Sequence, residues 1–369
     1  MSEPDAITEA DHSDQAPEAA GGAVYWTPKR VLAGVLMGVV ALGVVAVVQW
    51  DEIERIARGG EMHEGVGFAE SAPFAYPLAD RALAFDLSNL QVARDRILSG
   101  GPGKDGIPAL ADPKTVPVGD ADFMFDDDRV VGVTVNGESR AYPIKVLNWH
   151  ECYNDGLGGV PIAVVFCPLC DSVSVVDRRV GEQVLEFGIS GLLYNSNVLL
   201  YDRTDDALWS QAGLTAVSGP NAGKSLTHLS GWEITTFADW REAHPDSTVA
   251  TLVTGHYSPD RYNRIAYASY FETDEVMFPV DAADGRFANK YRVVGVRVDG
   301  VARAYPVDLI ADAPDGRVEE LFAGGRVLLE STPGGGVRVV EVPAGAEVLH
   351  TFWFAWYAFH PQTGVFDGE

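Results

Sequence analysis

Apolar residues fall along this chain in three patterns. From Val31 to Val48 they run unbroken for 18 residues without a charge. At the rise of an α-helix such a run spans about 27 Å, close to the hydrocarbon thickness of a bilayer. Tyr25 and Trp26 precede it and Trp50 follows it, where an aromatic belt would lie. The run predicts one N-terminal transmembrane helix. It shows neither the polar face of a core helix nor the small-x-small site of a cleaved signal peptide. Residues 1–22, made of Ala, Gly, Ser and acidic types, predict a disordered tail.

The second pattern is alternation, and it occurs twice in nearly the same words. Val131-Gly132-Val133-Thr134-Val135-Asn136-Gly137-Glu138-Ser139-Arg140-Ala141-Tyr142-Pro143 returns as Val294-Gly295-Val296-Arg297-Val298-Asp299-Gly300-Val301-Ala302-Arg303-Ala304-Tyr305-Pro306, identical at nine of thirteen positions. Alternating Val, then Asn-Gly or Asp-Gly, then a return strand predicts a β-hairpin with a two-residue turn at positive φ. A second echo follows each: Trp240 to Pro245 and Trp356 to Pro361 both place Trp and His four apart before a Pro. In this position His244 and His360 are expected to complement the negative ends of their helices.

The third pattern is a series of short apolar runs punctuated by Gly, Asn and Asp. Strands are expected over 160–166, 172–177, 184–187, 197–201 and 326–330. Residues 209–226 and 254–287 read as long loops. Pro143 opens a helix expected to run to about Tyr153 and to stop at Asn154-Asp155-Gly156.

These elements predict a β-rich α+β fold: an internally duplicated, hairpin-based scaffold with short helices, preceded by the transmembrane helix. The expected organisation is a tail over 1–28, an anchor over 29–50, a linker over 51–84, a first half over 85–279 and a second half over 280–369. Within these halves the related segments cover roughly 115–255 and 280–366.

Charge narrows the partners. The chain has 53 acidic against 27 basic residues, a net charge of −26, and only 6 of the basic residues are Lys. Such a surface repels phosphate backbones and excludes nucleic acid as a partner. The Lys-poor acidic balance suits a high-salt habitat, where screening tolerates self-repulsion. The basic residues flanking the anchor tie at two each, but Lys29 and Arg30 directly abut it. The expected topology is therefore single-pass in the cell membrane, with the tail inside and the body extracytoplasmic. The sequence names no protein partner.

All three cysteines fall within one stretch: Cys152, Cys167 and Cys170. His150 and Glu151 stand beside the first. The corresponding stretch of the second half, 307–341, has no Cys and no His. That points to a scaffold in both halves and a site in the first alone. A strand–Cys-Pro-x-Cys–strand order resembles a metal knuckle, with His150 and Cys152 or Glu151 completing a tetrahedron around zinc or copper. In that reading Glu151 would be the acid/base beside a metal-bound water. Two alternatives stay open: a thiol–disulfide oxidoreductase with Cys167 attacking and Cys170 resolving, and a non-catalytic surface or binding protein with a structural disulfide. The zinc-deaminase pattern fails on spacing, because His and Glu are adjacent and the Pro lies inside the Cys pair. Lys104-Asp105 follows a Gly-rich stretch but lacks the Gly-Lys-Ser/Thr of a phosphate-binding loop.

Taken together, several motifs resemble the domain-of-unknown-function family 3179. They are Asn148-Trp149-His150-Glu151, Phe166-Cys167-Pro168-Leu169-Cys170, Phe187 to Ser196, Leu208-Trp209-Ser210-Gln211, the Gly100 to Pro108 segment and the closing Phe352 to Trp356. The resemblance runs from about Phe85 to the C-terminus. It implies an exported or membrane-tethered prokaryotic protein and brings no established activity. The family usually carries a β-branched residue where Cys152 stands and Gly where Asp171 stands, which leaves His150, Glu151, Cys167 and Cys170 as the carried-over set. Tyr194, Asn195, Ser196, Gln211, Lys104 and Asp105 belong to the same motifs and are further site candidates. For Tyr194-Asn195-Ser196 a plain hairpin turn is the competing expectation.

Overall fold

A computed structural model of the chain describes residues 84–264 and 266–368. The expected tail, anchor and linker lie outside the described residues. Among the described residues no helix is long and apolar enough to cross a membrane.

Both repeated segments fold as antiparallel hairpins of identical register. Val131 faces Tyr142 across the first, and Val294 faces Tyr305 across the second. Asn136-Gly137 and Asp299-Gly300 take the positive φ that such turns need. A third strand then pairs with each hairpin: Trp232–Thr236 with Arg129–Val135, and Glu347–Phe352 with Arg292–Val298. Short helices follow, Phe237–Ala243 and Trp353–Phe359. Each returns to a short strand parallel to its hairpin, Thr248–Ala250 or Gly364–Val365.

One glycine in each copy admits the helix. A Cβ on Gly132 would lie 2.1 Å from the Trp240 ring, and one on Gly295 would lie 2.2 Å from the Trp356 ring. Each indole N–H donates to a hydroxyl seven residues on, Ser247 or Thr363. His244 stacks on its indole with ring centroids 3.8 Å apart, and His360 lies tilted against its own at 4.1 Å. Burial pushes both imidazoles below their usual pKa, His360 to about 4. The lowered pKa of each ring disfavours the charged form that complementing the dipole requires, and the backbone N–H of each closes its helix by donating to the Trp240 or Trp356 carbonyl.

After each hairpin comes a helix and a three-strand meander. In the first copy these are Ile144–His150 and strands Cys152–Leu157, Val160–Cys167 and Ser172–Asp177. In the second they are Val307–Asp312 and strands Arg317–Phe322, Gly325–Thr332 and Gly336–Glu341. The meanders cross over. The eight-stranded sheet joins the first hairpin to the second meander, through Glu233 opposite Arg338. The nine-stranded sheet joins the second hairpin to the first meander, through His350 opposite Val173. One hydrophobic core takes Val131, Val133, Val327 and Leu329 from the first of these sheets and Val164, Phe166, Val294 and Val296 from the other.

A third, five-stranded sheet holds the hairpin Phe187–Tyr194 and Asn197–Asp202, with Asn195 and Ser196 as its two-residue turn at φ 51 and 60. The strand expected over 184–187 is not formed as such: Gln183–Val184 ends one two-stranded ribbon, and Phe187 begins the long hairpin. The helix after Pro143 also stops early, at His150, because Glu151 turns into the left-handed region. Asn154-Asp155-Gly156, expected to end that helix, lies inside a strand.

Candidate functional site

The two ends of the first meander build the site. Glu151 closes its helix by donating its N–H to the Leu147 carbonyl, and its own carbonyl accepts from Phe166 N–H. The second bond ties Glu151 to the strand that ends in Cys167. The chain then makes one 3-10 turn, Pro168–Cys170, and Asp171 leaves it at φ 45. The turn therefore joins two strands, as the knuckle pattern predicts, and heads no helix. In the second copy Thr332-Pro333 occupies the place of Cys167-Pro168, and the connection to the next strand is one residue shorter.

Both sulfurs are buried and unbridged. Burial pushes the Cys167 thiol up, but the Cys170 thiol and the backbone amides of Val198, Cys170 and Leu169 donate to its sulfur and bring it below the usual thiol range. Cys170 goes the other way, raised by burial and by Cys167. Its sulfur lies 3.3 Å from the Ser196 carbonyl, so its one hydrogen has two acceptors in reach. The pair thus sets a thiol of lowered pKa beside one of raised pKa.

Glu151 is 7% exposed, and burial, followed by the neighbouring Cys167, holds its carboxyl well above the usual carboxylate range. It lines a cavity of about 30 Å³ together with Leu169, Val198, Ile107 and Tyr267. Glu151, Asp171, Asn195 and Ser196 all hold positive φ without being Gly. Such backbone strain collects where a structure fixes a site.

His150 does not join the sulfurs. Its Nδ1–H donates to the Pro108 carbonyl at 2.7 Å, which leaves Nε2 to accept from the Tyr262 hydroxyl, also at 2.7 Å. Tyr262 in turn lies 2.6 Å from the Thr254 hydroxyl. Burial lowers His150 to about 4, so the ring is neutral with both nitrogens engaged. Among the described residues no three His, Cys, Asp or Glu side chains are grouped to hold a metal ion. Of the four ligands expected from the sequence, Glu151 stands beside Cys167 while His150 engages Pro108 and Tyr262, because the left-handed turn at Glu151 separates these adjacent side chains. Cys152 sits on the next strand opposite Val165, and burial raises it to about 12.

The remaining candidates support the site or lie apart from it. Gln211 accepts from Ser172 Oγ and from Asn197 Nδ2, and its amide donates to Ser174, which makes a buried polar shelf behind Cys170. Asn195 donates to the Ala358 carbonyl and accepts from Asp281 N–H, pinning the hairpin turn. Tyr194 donates to Asp281. Lys104 pairs with Asp206 at 2.5 Å and covers the Tyr201 ring, and Asp105 takes Arg203 and the Tyr201 hydroxyl. Those two form a clamp outside the site.

Seven residues escape the sequence reading. Asp171 is buried and takes Arg129 through both carboxylate oxygens, at 2.9 and 3.2 Å, and Arg292 at 2.8 Å. Burial raises its carboxyl, but the two guanidiniums bring it far below the usual range. His350 lies nearby with neither ring nitrogen in a hydrogen bond, and burial lowers it to about 4. The signal was present: the repeat extends two residues upstream, where Arg129-Val130 matches Arg292-Val293. The loop over 254–287 also supplies Tyr262, Tyr267 and Tyr270, the last donating to the Leu169 carbonyl at 2.8 Å.

Comparison with known families places the chain. The family described as "Protein of unknown function (DUF3179)" matches residues 104–349, and the chain belongs to it. No curated protein and no solved structure matches it.

Proposed function

For this member of the DUF3179 family we propose a dithiol redox centre in which Cys167 is the nucleophile and Cys170 the resolving thiol. One observation carries it: four donors, the Cys170 thiol and three backbone amides, face the Cys167 sulfur. That arrangement favours the Cys167 thiolate relative to an ordinary thiol. The thiolate attacks an electrophilic partner atom, and Cys170 then attacks the Cys167 sulfur. The partner's second atom leaves, and a Cys167–Cys170 disulfide remains. The centre is carried by a body tethered outside the cytoplasmic membrane through the apolar run over 31–48.

Titration of the full chain against thiol–disulfide buffers tests the reading. A reversible two-electron couple above about −300 mV supports it, whereas a lower potential marks a structural disulfide. Zinc or copper remains a second reading, with the two sulfurs as the ligands, since thiolates suit both ions. One equivalent of either metal in the purified chain, lost in Cys167→Ser, would replace the redox reading. Protease treatment of sealed vesicles checks the topology: cleavage of the tail alone in right-side-out vesicles would overturn it.

A further inference from the structure

Something over the Cys167–Cys170 turn has to move before a reagent or partner can meet its sulfurs. Cys167 is 1% exposed and Cys170 is fully buried. Two parts of the covering belong to sheets and are fixed. The Ser196 carbonyl sits in the turn of the long hairpin, 3.3 Å from the Cys170 sulfur. Thr351, on strand Glu347–Phe352, donates to the Cys170 carbonyl at 3.2 Å. The third part is built differently. The stretch 254–287 has no strand among its described residues, and it brings Tyr267 and Tyr270 on one short helical turn, Ala268–Phe271. Tyr270 donates its hydroxyl at 2.8 Å to the carbonyl of Leu169, which lies between the two cysteines. Tyr267 and Leu169 line the same cavity, and both tyrosines are electrostatic neighbours of Cys167.

Resting on the dithiol reading, we infer that segment 267–271 is a gate over the dithiol, with Tyr270 as its latch. Its ends serve as pivots. Tyr267 enters the helical turn at φ 63, and beyond it Asp274 accepts from the N–H groups of Asn289 and Lys290, each at 3.0 Å. Between these points Ala268 and Ser269 are exposed, Phe271 is 37% exposed, and Tyr270 is the buried side chain of the helix. Two groups hold Tyr270 down. One is the Leu169 carbonyl. The other is Lys290, whose ammonium donates to the Tyr270 and Thr273 carbonyls and lies 3.4 Å from the Tyr270 ring centroid. A segment with so little buried surface opens at a free energy well below that of global unfolding. Its opening draws both tyrosines off the turn and breaks no sheet ladder.

The test is iodoacetamide alkylation of the reduced full chain, followed at Cys167 by peptide mass analysis across pH. Tyr270→Phe keeps the ring and removes the latch, and Lys290→Met removes the ammonium. Each should raise the plateau rate about fivefold, the scale of one lost hydrogen bond, while the pH midpoint stays. Thr351→Val loosens the same turn from the sheet side and should leave the rate unchanged. In the wild-type chain the rate should respond to urea far less than global unfolding does, because local opening exposes little surface. A Tyr270→Phe rate equal to wild type, an equal gain in Thr351→Val, or a wild-type rate that tracks global unfolding would each overturn the gate. Should Lys290→Met fail to fold, Tyr270→Phe and the urea dependence still decide. Thiol–disulfide titration separates the two readings. A reversible couple with ungated alkylation removes the gate alone, and gated alkylation without a couple removes the dithiol reading and leaves the gate standing.

Discussion

Arg129 and Arg292 hold the same position in the two copies of the repeat, and both bind one carboxylate, that of Asp171. Asp171 belongs to the first copy alone and directly follows Cys170. Its side chain is 2% exposed, while the arginines are 31% and 45% exposed. Losing one arginine leaves the carboxylate a partner, and the freed site rehydrates; the expected cost is about 1 kcal/mol for Arg129→Ala or Arg292→Ala. The double variant strands a buried charge and should cost about 3–5 kcal/mol, more than the sum of the singles. A denaturant double-mutant cycle that proved additive would remove this coupling.

Gly132 and Gly295 face equal crowding. Ala at either position would drive a methyl into a buried indole. Each substitution should destabilise by about 3 kcal/mol, the upper part of the overpacking range. Similar losses in chemical denaturation are expected at the two sites, and a neutral effect at either would contradict the close approach.

Acid should weaken the fold early. His150 and His350 are buried and neutral, each near 4 against an ordinary value near 6.5, and His228 and His360 are lowered as far. The unfolded chain takes up these protons first, so stability falls as pH drops from about 6.5 to 4, by about 1.4 kcal/mol per pH unit for each ring. His350 aligns with Ile234 of the first copy, since they face Val294 and Val131 respectively. His350→Ile is therefore expected to remove one ring's share of the slope and to raise stability near pH 5, measured by urea unfolding across that range.

Alkylation should report the thiolate directly. The pH midpoint for iodoacetamide reaction at Cys167 is expected below the value near 8.5 of a free cysteine. Cys170→Ala removes one donor and should move the midpoint upward, because burial then weighs more. Peptide mass analysis over pH follows both, and an unchanged midpoint would deny Cys170 its role.

What local chemistry writes into a sequence was legible here. Asn136-Gly137 and Asp299-Gly300 announced the hairpins, and the Trp–His pairs announced the helices that follow. The crossing of the meanders was not, because a single residue pair such as His350 and Val173 joins strands far apart in sequence. At the site, the Cys167–Cys170 turn between two strands was readable from β-branched alternation. The parting of His150 from Glu151 was not, since it depends on a positive φ at a residue that carries a Cβ.

Each large sheet borrows its meander from the opposite copy, so a solitary copy would expose two raw strand edges. A polypeptide holding one copy would close them only by pairing with a second copy. One bend keeps its sulfurs, while the other, at Thr332, shortens into a plain corner.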